Sequence, residues 1–98
     1  MNVTILVGRI GQIEQRQSKE GKPMATLRVA TDGNRKGEVE WHDVIWFEPS
    51  GLIKHLDKGR TISIRGELRT NRWQGKDGRN RQQTSIIVRE IHPVGGAK

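Results

Sequence analysis

The stretch VEWHDVIWF, residues 39–47, carries three of the chain's four aromatic side chains. Its alternation determines which of them point to the core and which to solvent. In a strand, Trp41 and Phe47 lie on one face and Val44 and Trp46 on the other. With Val44 and Trp46 in the core, Trp41 and Phe47 face outward, about 20 Å apart at about 3.3 Å per residue. Periodicity alone leaves open the opposite assignment, with Trp41 and Phe47 in the core, and burial of the rings between subunits.

Four further segments have strand patterns. Residues 3–13 and 24–31 alternate before this strand, and residues 61–70 and 82–91 alternate after it. The 10 Ile, 7 Val and 6 Thr residues outnumber the 5 Leu and 3 Ala residues. Since β-branched side chains fit a pleated sheet better than a helix, the sequence predicts a mostly β protein.

A single short helix is predicted between the third and fourth strands. Leu52, Ile53 and Leu56 follow helical spacing, and Gly59 lies where a C-terminal cap glycine would be expected. The order is then β-β-β-α-β-β. This is the order of an OB-fold, a five-stranded Greek-key barrel that binds oligonucleotides on strands 2 and 3 and on the loops between strands 1–2 and 4–5. Gly8 and Gly11 mark bends in the first strand.

Length and composition limit which classes of protein the chain can belong to. The 98 residues fit one domain, predicted over residues 1–92, with a short flexible tail at 93–98. Without cysteine there is no disulfide framework, zinc ribbon or thiol nucleophile. No apolar run approaches a membrane span and no signal peptide is evident, so a cytoplasmic protein without a membrane partner is predicted.

The formal net charge of +7 indicates a polyanionic partner. Residues 65–81, read as the fourth strand and a polar loop at 71–81, hold six basic and two acidic residues around Trp73. Cations that bind phosphate beside a ring that stacks on a base are typical of single-strand binding, although the same loop could be merely solvated. Asp43 lies between the outward aromatics, where its carboxylate would repel phosphate. It must therefore either pair with an arginine or lie off the path of the bound nucleic acid. The candidate nucleic-acid-binding residues are Trp41, Phe47, Trp73, Arg28, Arg35, Lys36, Arg65, Arg69, Arg72, Lys76, Arg79 and Arg81.

Catalytic patterns are weak. The histidines His42, His55 and His92 lack metal-ligand spacing, and the glycine-containing segments match no dinucleotide or phosphate loop. We therefore predict no enzyme activity, no metal and no cofactor. His42, on the inward face of its strand, is expected to be packed or to lie in a subunit interface.

Several segments together resemble the bacterial single-stranded DNA-binding protein family. They occur in the family's order, at similar spacing, and span nearly the whole chain. They are NVTILVGRIG at 2–11, EWHDV at 40–44, KG at 58–59, ISIRGELRT at 62–70 followed by Trp73, DGR at 77–79 and TSI at 84–86.

The resemblance implies that Trp41, Phe47 and Trp73 stack on bases and that His42 makes subunit contacts. It also implies a homo-oligomer, a dimer or tetramer, that wraps single strands without strong sequence preference. The loop at 32–36 lacks a further stacking tryptophan found in the family, and Asp43 stands where a basic residue is common. The chain also lacks the family's acidic tail, which suggests a plasmid, phage, mobile-element or accessory protein without tail-mediated protein recruitment.

The sequence thus favours a non-enzymatic protein that binds and protects single-stranded DNA in replication, recombination or repair. An OB-fold assembly module of a primosome-like or conjugative complex, in which protein contacts dominate, is the alternative. RNA is a third possibility, because stacking on tryptophan does not distinguish ribose from deoxyribose.

Overall fold

The computed structural model describes residues 1–33 and 35–95. Its elements are, in chain order, β1 (Thr4–Gln17), β2 (Pro23–Thr31), β3 (Glu40–Phe47), a single 3₁₀ turn (Gly51–His55), β4 (Thr61–Gln74) and β5 (Asn80–Pro93). The strands close into a barrel in the order β1-β2-β3-β5-β4. All pairings are antiparallel except the short parallel contact between β3 and β5. The predicted five-stranded β-barrel is therefore confirmed.

The inward face of each strand fills the barrel. Closure removes the free sheet edges, and the core is almost wholly aliphatic with a single tryptophan. Its buried apolar members are Ile10, Ala25, Leu27, Val29, Val44, Trp46, Ile53, Leu56, Ile62, Ile64, Ile86 and Ile91.

Two glycines in β1 allow the barrel to curve. The β1–β2 register shifts between Ile10 and Gln12, so Gly11 is the bulged residue that the sequence predicted as a bend. Gly8 is buried where β1 crosses β2, and a Cβ there would collide with the carbonyl oxygen of Ala30. Gly8 therefore needs to be glycine for close backbone approach, and Gly11 because a side chain there would collide with a neighbouring side chain.

The predicted helix is shorter and tighter than expected. Only a 3₁₀ turn forms, with Ser50 as its N-cap and Leu56 as its C-cap, so Gly59 does not cap it. Instead, Gly59 has φ +93° in the turn that enters β4 and donates its N–H to the Ile10 carbonyl at 2.7 Å. Ile53 and Leu56 are buried in the core beside this turn, and Leu52 packs against the core partly buried.

Residues 71–81, predicted as a polar loop, instead form the outer end of the long β4–β5 hairpin. The β4–β5 register continues through Trp73↔Arg81 to Gln74↔Asn80, and the turn itself covers only residues 75–79. Thr70 and Thr84 hydroxyls bond across the strands at 3.1 Å. We call residues 69–84 the hairpin arm. Its side chains are almost all exposed. A two-stranded ribbon with both faces in solvent needs no apolar residues, so its polar sequence gave no strand pattern.

The end of β5 passes the predicted domain boundary at residue 92. Pro93 still pairs with Ile62, and the Val94 N–H donates to the Thr61 carbonyl at 3.0 Å. Residues 96–98 of the predicted tail lie outside the described residues. Within the described ranges, no helix has the length and apolar character required to cross a bilayer.

Candidate nucleic-acid interface

Strand β3 presents two aromatic rings to solvent at opposite ends of its pairing with β2. Trp41 is 48% exposed and Phe47 50% exposed, whereas Val44 and Trp46 lie in the core. The parity predicted from the sequence is confirmed, and the opposite assignment is wrong. Because the buried neighbours fix the strand, both rings are held at defined positions on the barrel surface.

Trp41 is seated by two neighbours. A Cβ on Gly11 would meet the indole Cζ3 and Cη2 well inside van der Waals contact, so the ring lies directly over the bulge in β1. The Arg28 guanidinium lies 5.4 Å from the ring centroid, a cation–π distance. The indole is therefore oriented before any ligand arrives, which lowers the ordering cost of stacking.

A groove runs over the outer faces of β1, β2 and β3 beside the base of the hairpin arm. Its lining includes the charged residues Arg28 and Asp43 and the apolar residue Ile45. The Asp43 carboxylate has two partners in this groove. Arg28 Nε lies 3.5 Å from it, and Gln83 Nε2 donates a hydrogen bond to it at 2.9 Å. Asp43 thus pairs with arginine, as one of the two predicted alternatives required, and also fastens the arm to β3.

The hairpin arm carries the third exposed aromatic ring. Trp73 is 47% exposed and lies directly across the hairpin from Arg81. Both line a shallow depression together with Arg72. The guanidinium of Arg81 passes beside Gly75 and is held by Asp77 at 2.9 Å. The arm thus combines an exposed ring with cations on a regular scaffold.

The predicted cations divide into paired and free groups. Within residues 1–33 and 35–95, the charges of Arg72, Lys76 and Arg79 have no carboxylate partner. Arg81 pairs with Asp77, and Arg28 pairs with Asp43. Arg72, Lys76 and Arg79 therefore lie together at the outer part of the arm, where the one carboxylate, Asp77, is already paired with Arg81.

Arg65 and Arg69 lie in ion pairs nearer the barrel. Arg65 Nε donates to Glu90 at 2.7 Å, on a rung of the sheet that also holds Ile5. Arg69 donates to Glu67 at 3.0 Å, and Arg89 donates to the same carboxylate. The hydrogen bonds from Arg89 and then Arg69 lower the pKa of Glu67, and the hydrogen bond from Arg65 lowers the pKa of Glu90.

The remaining predicted residues lie elsewhere on the barrel. Arg35 and Lys36 form a turn between β2 and β3, next to Asn34, which is outside the described residues. His42 is half-buried, and its Nε2 lies 2.9 Å from the Thr31 hydroxyl within the same subunit. Across the described part of the chain, no three metal-ligating side chains come together.

Two contributors to this surface were absent from the sequence prediction. Gly11 supports the Trp41 ring, and Gln83 links the arm to Asp43. Neither bears a charge or an aromatic ring, so no compositional signal marks them. Only the strand register shows what they contact.

The sequence profile described as the single-strand binding protein family matches residues 1–94 of this chain. The chain belongs to that family. A single-stranded DNA-binding protein of Rhizobium meliloti (strain 1021) is 35% identical over 101 residues, covering 90% of this chain and 58% of that protein. One from Xanthomonas axonopodis pv. citri (strain 306) is 32% identical over 106 residues, covering 98% of this chain and 59% of that protein.

The chain therefore spans about three fifths of the length of these curated relatives. Among solved structures, a Plasmodium falciparum SSB in complex with single-stranded DNA superposes with a TM-score of 0.80. That match covers 97% of this chain and 96% of the other at 24% sequence identity. The likeness identifies the barrel of this family member as the OB-fold that its strand order predicted.

Proposed function

We propose that this chain binds single-stranded DNA without strong sequence preference. The observation that carries the proposal is three half-exposed aromatic rings, Trp41, Phe47 and Trp73, on a surface that also carries free cations. Stacking on such rings contributes about 1–3 kcal/mol per base and tolerates any base. Membership of the single-strand binding protein family supports the same function.

The proposed interface combines the β3 face with the hairpin arm. Bases stack on Trp41 and Phe47 along β3 and on Trp73 on the arm. The predicted cations contact the phosphates, with the free group of Arg72, Lys76 and Arg79 contributing most. Bound in this way, a strand is held extended and protected during replication, recombination or repair, without chemical change.

Titration of labelled oligo(dT), followed by fluorescence anisotropy at several salt concentrations, tests this function. We expect tight binding whose affinity falls with salt by about 0.7 in slope per phosphate contact. A mixed-sequence single strand should bind within a few fold of oligo(dT), and duplex DNA much more weakly. Oligo(U) measures the preference for deoxyribose. Equal affinity for duplex, or no binding at all, would overturn the proposal.

We also propose that the chain self-associates through the outer face of β1. Val3, Ile5 and Val7 are 50%, 71% and 54% exposed and follow one another along this face. Burial of such side chains contributes about 25 cal/mol per Å² of apolar surface. The small core of a 98-residue chain gives further reason to bury surface between copies.

Light scattering of Ile5→Asp tests self-association. The wild-type chain should have the mass of a dimer or tetramer, and Ile5→Asp should lower it. Val94→Asp, another exposed apolar position off the β1 strand, is the matched control and should leave the mass unchanged. A monomeric wild-type chain would remove the proposed interface.

A further inference from the structure

One rung of the sheet places a cation and an aromatic ring on either side of a small residue. Thr61, Arg9, Ala30 and Trp41 lie opposite one another across β4, β1, β2 and β3. Arg9 points outward between buried Gly8 and Ile10, and Ala30 and Thr61 each have a buried neighbour in their strands. Trp41 on the same rung is 48% exposed. Arg9 and Trp41 are two strands apart, about 10 Å between Cα atoms at about 4.8 Å per strand spacing.

Between them lies a depression separate from the groove described above. Arg28, which stacks on Trp41, lines the groove, whereas Trp41 itself lines this second depression. Gly8, Gly11 and Ala30 form part of its lining. Val7, from the proposed self-association face of β1, also lines it, so the depression borders that face. The Trp41 ring packs on Gly11 but is still 48% exposed, and the small residues Gly8 and Ala30 leave its exposed part accessible from the depression.

A second cation reaches the depression from the turn before β4. Lys58 is in its lining, and the turn that carries it is fastened to β1. The Gly59 N–H donates to the Ile10 carbonyl at 2.7 Å, and the Ile10 N–H donates to the Arg60 carbonyl at 2.9 Å. These bonds hold the backbone of Lys58 beside that of Arg9.

Arg9 and Lys58 are available for a ligand. Among the described residues neither charge has an ion-pair or hydrogen-bond partner. Asp32 also lines the depression, so its local formal charge is +1. Two free cations beside an open aromatic wall suit a nucleotide unit of a polyanion, with its base against the ring and its phosphate at the cations.

We propose that this depression is a further nucleotide subsite, which extends the single-strand path beyond Trp41 across β2 to β1. Arg9 and Lys58 contact the phosphate there, and Trp41 and Val39 contact the base or sugar. The proposal rests on the proposed function, because the path reaches the subsite only from the β3 face. Asp32 limits the affinity of the subsite by repelling the phosphate.

The test is oligo(dT) binding by Arg9→Gln, Lys58→Gln and the double variant, measured by anisotropy across a range of salt. Each lost phosphate contact should lower the salt slope by about 0.7 and the affinity about fivefold in 0.1 M salt. The control is Lys19→Gln/Lys54→Gln, which removes two exposed charges outside the groove and the depression. It should lose much less affinity than Arg9→Gln/Lys58→Gln. Asp32→Asn should bind more tightly than the wild type at low salt.

The outcomes separate the subsite from the function on which it depends. If the wild-type chain does not bind oligo(dT), the proposed function fails. If it binds, and the two double variants lose affinity equally, the subsite is wrong and only general charge is at work. A changed mass of Arg9→Gln/Lys58→Gln in light scattering would instead assign the depression to a subunit interface and overturn the proposal. Unchanged thermal unfolding of each variant excludes misfolding.

Discussion

The β3 face and the hairpin arm both present exposed aromatic rings, but they are built in opposite ways. Beneath Trp41 and Phe47 lies the buried core of the barrel, and the cation nearest Trp41 is paired with Asp43. Trp73 lies on a two-stranded arm whose side chains are exposed and whose outer cations are free. The comparison indicates that the β3 face contributes fixed position and the arm contributes charge.

The largest effect is expected at the fixed ring. Trp41→Ala should weaken oligo(dT) binding by about 2–3 kcal/mol, the upper part of the range for stacking, because its ring is already oriented. Trp73→Ala should cost about 1 kcal/mol, because among the described residues no ring or cation contact orients the Trp73 side chain, which therefore has to be ordered on binding. Anisotropy titrations with labelled oligo(dT) measure both. Equal losses, or a larger loss at Trp73, would contradict the assignment of fixed position to β3.

Free charge on the arm should give the next largest effect. Arg72→Gln/Arg79→Gln should lower the salt slope by about 1.4, two single-strand phosphate contacts. Lys19→Gln/Lys54→Gln removes the same charge elsewhere and should lower the slope less. If the two double variants have the same salt slope, the arm contacts phosphate no more than the rest of the surface does.

Releasing Arg28, the cation on β2 that is paired with Asp43 of β3, should have a smaller and opposite effect. Asp43→Asn removes the carboxylate that holds Arg28 at 3.5 Å and that would repel phosphate. Affinity for oligo(dT) at low salt should rise, with the salt slope steeper by up to about 0.7. Weaker binding would show instead that Asp43 is needed to hold the arm through Gln83.

The smallest effect concerns acid stability rather than binding. The pKa of Glu67 lies below its ordinary value of 4.5 because Arg89 and Arg69 donate to it. Its folded-state pKa is lowered, so its contribution is present above the unfolded pKa and lost as pH falls through the folded one. Glu67→Gln should therefore reduce the fall in Tm on acidification. Glu20→Gln, in the β1–β2 turn, should leave that fall unchanged.

The barrel and the β3 face could be predicted because alternation is a local signal. Val44 and Trp46 alternate with Trp41 and Phe47, so one choice of core fixes both outward rings. The hairpin arm could not be recognised in this way, because an exposed two-stranded ribbon has no apolar face to produce a pattern. Its polar residues were therefore interpreted as a loop.

The pairing of charges also required the three-dimensional register. Arg65 and Glu90 are 25 residues apart, and the β4–β5 register shifts between Arg65 and Gly66, so the sequence gives no sign that they meet. Arg9 and Lys58 are far apart in the sequence and come together only through the closed barrel. Local charge density therefore pointed to the arm and missed the depression beside Trp41.

The central claim, that one strand contacts both the β3 face and the arm, is tested most directly by tryptophan fluorescence of two single substitutions. Trp73→Phe leaves Trp41 as the exposed reporter, and Trp41→Phe leaves Trp73, with Trp46 buried in both. Titrated with the same oligo(dT), both variants should be quenched and reach saturation at the same ratio of oligonucleotide to protein. Quenching of only one reporter, or saturation at different ratios, would contradict the account.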